Sequence, residues 1–296
     1  VVVALKDQLL ARRYEQVNEN PELVALVSQA VNPGDLKAPH VVHSASILPN
    51  TKKIVGVQEQ VALILRECGF KVEIEKTIET ARGTVEIDVY AEEIIKGRKY
   101  VLLCECKHWR SAVPQTIIHS FRTVVADSGA NIGYIVSSNG FQSGSFKASE
   151  LTNLELVTWE QFQAAFEASW IEAYLMDETI ERLDPIMTYA EPFLPLWFPA
   201  LPEEEQQAYL KLKEQYDEFG WIMMSFTRYA HTFRDTTYPV LPLINSIGNP
   251  AVSRIPKDIL HAVSYKEFLE LATNYGQAAI AQFRAIRDRN GHTGGE

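Results

Sequence analysis

With 296 residues, 46% of them apolar, the chain exceeds the usual size of one domain and can bury a substantial core. No apolar run approaches the roughly 20 residues a membrane helix needs, so no membrane partner is expected. The formal net charge of −10 excludes a chain that is basic throughout, and three cysteines (Cys68, Cys104, Cys106) are too few for a disulfide framework.

The amino terminus, VVVALKDQLLARRYEQ, lacks the basic region and small-residue cleavage site of a signal peptide, which together with the cysteine usage predicts a cytoplasmic protein. A short helix is expected at Val3–Val17. Asn20-Pro21 and Asn32-Pro33-Gly34 then break the chain before an apolar run at Val41–Leu48, and residues 1–52 read as an extension. From Lys53 to Cys68, Val57, Val61, Ile64 and Leu65 recur at helical spacing and Gly69 supplies a stop. FKVEIEKT (70–77), TVEIDVYA (84–91) and YVLLCEC (100–106) predict three successive strands. A helix over Val113–Ser128, a strand over 132–138, a helix over Ser143–Glu150 and a strand over 154–158 follow.

This order predicts a mixed α/β sheet, because successive strands pair antiparallel and a helical crossover favours parallel pairing. The strand signal fades after Trp159. Glu160–Leu175 reads as helix, prolines then crowd together (Pro185, Pro192, Pro195, Pro199, Pro202), and helical patterns resume at Glu203–Arg234 and Ser264–Arg289. The expected domains are 53–175, built on the sheet, and 176–296, mainly helical. From Glu172 onward there are 18 acidic and 11 basic side chains, so the helical part carries most of the excess negative charge.

On a strand, residues two apart face the same way, which places Glu105 beside Lys107 and Glu86 beside Asp88. If the two strands are neighbours, Asp88 and Glu105 converge with Lys107 at one end of the sheet. Two carboxylates suit Mg²⁺, which takes one or two and keeps several waters. Hydrolysis of a phosphodiester needs an activated water and charge neutralisation, both of which a bound metal supplies, with Lys107 placed to stabilise the transition state.

The stretch from about Gly56 to Phe162 resembles the Mrr-like branch of the PD-(D/E)xK restriction-endonuclease superfamily. The resemblance rests on the helix ending in ECGF, GTVEIDVYAEE, YVLLCECKHW, IGYIVSSNGFQSGS and LELVTWEQF. It implies a restriction-endonuclease-like mixed sheet flanked by helices, and a metal-dependent DNA endonuclease acting in defence against foreign DNA. Asp88, Glu105 and Lys107 match the catalytic positions, with Asp88 and Glu105 as ligands for Mg²⁺ or Mn²⁺. Relatives carry an assisting Glu on the first helix; Gln58, Glu59 and Glu67 are available, and Glu59 is the residue assigned. They also place a polar residue near the site on the helix after the Glu-x-Lys strand, which assigns Gln115.

DNA is the expected partner, with RNA as a second substrate the chemistry admits. A homodimer would let two single-strand cuts sever a duplex, and the acidic helical domain suits a protein or small-ligand activator. Two rival functions share these residues: a resolvase or repair nuclease of the same fold, and a nucleic-acid-binding module that has lost catalysis. Cys104, Cys106 and His108 have poor spacing for zinc, and the cysteines are read as small core residues. His108 and Trp109 are placed to touch nucleic acid by stacking or by a phosphate hydrogen bond, or else to pack. The turn SSNGFQSGSF either offers backbone amides to a phosphate or anchors a helix through Phe141.

Overall fold

A computed structural model describes residues 45–49, 56–233, 238–247 and 254–291. All of them fall within one compact unit, His43–Glu296. The helix expected at Val3–Val17 lies outside the described residues.

Helix α1 (Val57–Glu67) buries the stripe Val57, Val61, Ala62, Ile64 and Leu65 and ends where Gly69 takes a φ of 96°. Five strands follow: β1 (Lys71–Thr80), β2 (Gly83–Ile95), β3 (Arg98–Lys107), β4 (Ile132–Ser137) and β5 (Leu154–Thr158). They lie in the order β1-β2-β3-β4-β5. The first three pair antiparallel and the last three parallel, the mixed sheet expected from the sequence. Lys96 and Gly97 turn β2 into β3 with both φ values positive, the backbone a two-residue hairpin loop requires.

The parallel crossovers run through α2 (Gln115–Ser128) and α3 (Ser143–Ser149). These cover one face, where Ile118, Phe121, Val125 and Ala148 pack with Leu103, Ile135 and Leu154. The other face carries α1 and α4 (Trp159–Trp170), whose start is fixed by a capping box between Thr158 and Gln161. After a π-helical turn at Ile171–Leu175 the chain enters α5 (Met176–Ala190). Then come α6 (Glu203–Ser225), α7 (Arg228–Phe233), α8 (Lys257–His261) and α9 (Tyr265–Arg289).

Helix α5 differs from the expectation that prolines interrupt the chain from Pro185 onward. Pro185 lies inside the helix, where it cannot donate to the preceding turn. Burial of Leu183, Ile186, Met187 and Tyr189 offsets that loss. One apolar cluster runs without a break from α1 and the sheet (Val61, Leu65, Ala91, Leu102) through Trp170 and Leu183 to Phe219 and Phe283. The short segment 45–49 also joins it: Ile47 and Leu48 are buried, and the carbonyls of Ser46 and Ile47 accept from Tyr265 and Lys266 N–H, two of the otherwise unpaired donors at the start of α9.

Candidate active site

The β2–β3 ladder starts at Val89↔Cys104, so β2 leaves β3 at Asp88 and continues with β1 alone. At the same point the sheet changes faces. Val89 and Ala91 belong to the cluster under α1, but Ile87 packs with Tyr90 under α2, although strict alternation would group Ile87 with Val89. On β1, Ile74 joins the first cluster and Ile78 the second. The change falls at Glu75, the β1 residue between the Ile74↔Val89 and Lys76↔Ile87 pairs, which takes a φ of 53°. Glu86 and Asp88 therefore do not share a regular strand face, contrary to the simple alternation expected.

The departure of β2 leaves backbone donors of β3 without their strand partner. Asp88 replaces it: its Oδ2 accepts from Cys106 N–H at 2.7 Å. The Asp88 carbonyl accepts from Gln58 Nε2 of α1 at 3.0 Å. Asp88 is thus held at its backbone by a helix and at its carboxylate by the neighbouring strand.

Glu105 and Lys107 follow Leu103 on the α2 side of β3 and form an ion pair through Oε1 and Nζ. Their side chains retain only 20% and 17% exposure, which makes the pair more than a surface salt bridge. Burial pushes the Glu105 carboxyl above its ordinary 4.5; Lys107 pulls it back, and the nearby Asp88 charge adds to the rise. Two carboxylates thus share a partly desolvated corner with one lysine, and the local charge is under-neutralised. A divalent cation fits that imbalance, since Mg²⁺ typically uses one or two carboxylates. Among the described residues no group of three or more His, Cys, Asp or Glu side chains forms a metal-holding cluster, so water or substrate oxygens would complete the shell.

The structure brings Asp88, Glu105 and Lys107 together, and Glu59 lies close enough to Cys106, between Glu105 and Lys107, for its charge to help raise that thiol. Glu59 is exposed and folds its carboxylate back over Gly56. Gln115, the exposed first residue of α2, has its amide nitrogen 3.1 Å from His119 Nε2 and its oxygen against Gly144. Glu67 is engaged at the far end of α1 by Trp170 Nε1 and by Lys266. Gln58 is therefore the α1 side chain that touches Asp88. Helical spacing carries a signal for it: Gln58 stands three, four and seven residues before the buried Val61, Ala62 and Leu65, whereas Glu59 precedes the exposed Leu63 and Arg66. Cys104 and Cys106 point into the α1 side of the core, and burial raises both thiols.

Beyond Lys107 the chain is tied to the end of β4. Ser138 N–H donates to the Lys107 carbonyl at 3.2 Å, and Ser138 Oγ lies 3.4 Å from it. Asn139 Nδ2 donates to the Trp109 carbonyl, and Asn139 N–H donates to Ser137 Oγ at 3.2 Å. The Lys107 ammonium lies 5.6 Å from the centre of the Trp109 ring. The SSNGF turn thus braces the strand end that bears Lys107.

Residues 52–166 match the family model of the Mrr catalytic domain, described as a restriction endonuclease. No curated protein matches the chain. The chain is similar to a solved structure, the crystal structure of AF1548, a protein of unknown function, at 15% identity and a TM-score of 0.32, covering 80% of this chain and 97% of that one. No helix among the described residues is long and apolar enough to cross a membrane.

Proposed function

We propose that this restriction-endonuclease domain is a divalent-metal-dependent endonuclease that hydrolyses DNA phosphodiester bonds, with Asp88, Glu105 and Lys107 as its catalytic residues. The observation that carries the reading is the under-neutralised pair of carboxylates beside Lys107 at the point where β2 leaves β3. Asp88 and Glu105 would hold Mg²⁺ or Mn²⁺. When bound, the metal supplies charge neutralisation on the phosphate and lowers the pKa of water.

The residues divide the remaining work. Asp88 is pre-positioned, because the Cys106 N–H fixes one oxygen and leaves the other for the cation. Glu105 spends Oε1 on Lys107 and has Oε2 for the same ion. The Lys107 ammonium, aimed by that ion pair, orients the attacking water and offsets negative charge that develops on the phosphate oxygens. Gln58 holds the Asp88 backbone and acts as a positioning residue. Glu59, whose charge reaches Cys106 between Glu105 and Lys107, and Gln115, at the start of α2, are assigned supporting roles beside the carboxylate pair.

The family likeness supports a role in defence against foreign DNA in the cytoplasm, with a homodimer as the form that cuts both strands. Residues 176–296 are assigned as an accessory or regulatory region that takes a protein or small-ligand activator. The test is to incubate wild type and Lys107→Ala with plasmid, linear duplex, single-stranded DNA and RNA, in Mg²⁺, Mn²⁺ or EDTA. Metal-dependent cleavage by wild type should fall about 10²–10³-fold in the variant, the size of effect expected for one electrostatic donor. Absence of both cutting and Mn²⁺ binding by calorimetry sinks the assignment.

A further inference from the structure

We infer that Trp109 is a stacking platform for an unpaired base next to the scissile phosphate, so that the site takes single-stranded or locally unpaired nucleic acid. The inference rests on the proposed catalytic role of Lys107 and names the substrate class that the same site would accept.

Three observations carry it. Trp109 is 39% exposed, although an indole gains most from burial. Its backbone is nevertheless held firmly: its carbonyl accepts from Asn139 Nδ2 and lies 3.5 Å from Ser138 Oγ, while the Lys107 carbonyl, two residues earlier, accepts from Ser138 N–H. An exposed ring on a braced turn is displayed rather than mobile. Third, the Lys107 ammonium sits 5.6 Å from the ring centre, so a nucleotide whose phosphate meets Lys107 has its sugar and base within reach of the indole.

The geometry also selects the state of the base. Within a duplex the base faces are covered by their neighbours, and only edges are open in the grooves. An aromatic side chain stacks on a base whose face has been freed, and every base has such a face, so the contact selects unpaired structure rather than sequence. Ser138 and Asn139 are positioning residues in this account: they touch no substrate and set where the ring stands.

The test uses the full chain in EDTA, which separates binding from metal-dependent cutting. Fluorescence polarisation compares a single-stranded DNA oligonucleotide with its duplex for wild type, Trp109→Ala, Trp109→Phe, Asn139→Ala and Asn139→Asp. Trp109→Ala should weaken single-strand binding about 5- to 150-fold, with little change on duplex, and Trp109→Phe should restore part of the loss. Asn139→Asp keeps the size but not the donor, so it should behave like Asn139→Ala. Single-strand binding should also quench tryptophan emission in wild type and not in Trp109→Ala. Equal losses on single strand and duplex, absence of quenching, or absence of single-strand binding would each overturn the inference. Metal-dependent cleavage of single-stranded DNA that survives Trp109→Ala unchanged would overturn it while leaving Lys107 in its catalytic place; loss of all binding and all cutting removes both.

Discussion

Asp88 has two jobs that substitution can separate. Its Oδ2 satisfies the Cys106 N–H, and its charge makes it a candidate metal ligand. Asp88→Asn keeps an oxygen for the N–H but loses the charge; Asp88→Ala loses both. A hydrogen bond to a charged acceptor contributes about 1.5–3 kcal/mol, a neutral one about 0.5–1.5, and stranding a buried donor costs roughly 1–3. Cys106 is half-buried, so the lower part of that last range applies, about 1–2 kcal/mol for Ala. At roughly 2–4 °C per kcal/mol for a unit of this size, Ala should lower Tm by about 2–8 °C and Asn by about half as much. Loss of the Asp88 charge relaxes Glu105 to the same degree in both variants, so it does not alter their order. Metal-dependent cleavage should vanish in both. Thermal melts followed by circular dichroism, with cleavage assays on the same preparations, give the comparison. Equal Tm losses in Asn and Ala would refute the hydrogen-bond account, and an Asn variant that cuts at the wild-type rate would refute the ligand role.

The same physical terms set three further expectations. Because burial and Asp88 raise Glu105, its ionised form is lost as pH falls through a value above the ordinary 4.5. At limiting metal, kcat/KM should therefore fall earlier on the acid side than an unperturbed glutamate allows, and more Mg²⁺ should move that limb to lower pH because cation and proton compete for the carboxylate; an acid limb that ignores Mg²⁺ concentration would count against Glu105 as a ligand. Across β2 and β3, Lys99 and then Tyr90 hold Glu92 down to about 2 from 4.5, so its stabilisation is complete above pH 4.5 and drains away as pH falls toward 2. Melts across that window should show wild type losing more stability than Glu92→Gln, and parallel pH profiles would disprove the pairing. In the helical region, a Cβ at Gly220 would stand 2.5 Å from Ala190 Cβ and 2.8 Å from the Ile186 carbonyl. Gly220→Ala should thus lower Tm by about 2–4 °C although alanine favours helix by about 1 kcal/mol, because overpacking costs roughly 1–3; a rise in Tm would show that α5 and α6 can separate there.

The strands were legible because β1, β2 and β3 combine alternating or apolar runs with glycines in the gaps, and the helices because their apolar stripes recur at three and four residues. What escaped has identifiable causes. Helix α5 contains Pro185, a breaker by local rules, and is held by burial that only the tertiary structure reveals. The change of faces at Asp88 depends on a positive φ at Glu75, and a glutamate gives no warning of one. Gln58 was within reach of the helical pattern, since it precedes three buried positions, but its partner is a backbone carbonyl that no side-chain motif announces. The brace of Ser138 and Asn139 joins two loops about thirty residues apart, and local pattern cannot pair them.

Helix α1 connects these observations. Near its start, Gln58 holds the Asp88 carbonyl; at its end, Glu67 meets Trp170 Nε1 and Lys266 of α9, whose ammonium also lies 3.1 Å from the Tyr174 hydroxyl. The Glu67 side chain is only 10% exposed, so separating it from Lys266 would strand a carboxylate away from water. The first turns of α9 are in turn capped by the carbonyls of Ser46 and Ile47, and the apolar cluster crosses from α1 to α9 without a gap. An eleven-residue helix packed on both sides moves as a body rather than bending locally. The accessory role proposed for residues 176–296 would have α1 as its route, because that helix meets Lys266 of α9 at Glu67 and the backbone of Asp88 at Gln58.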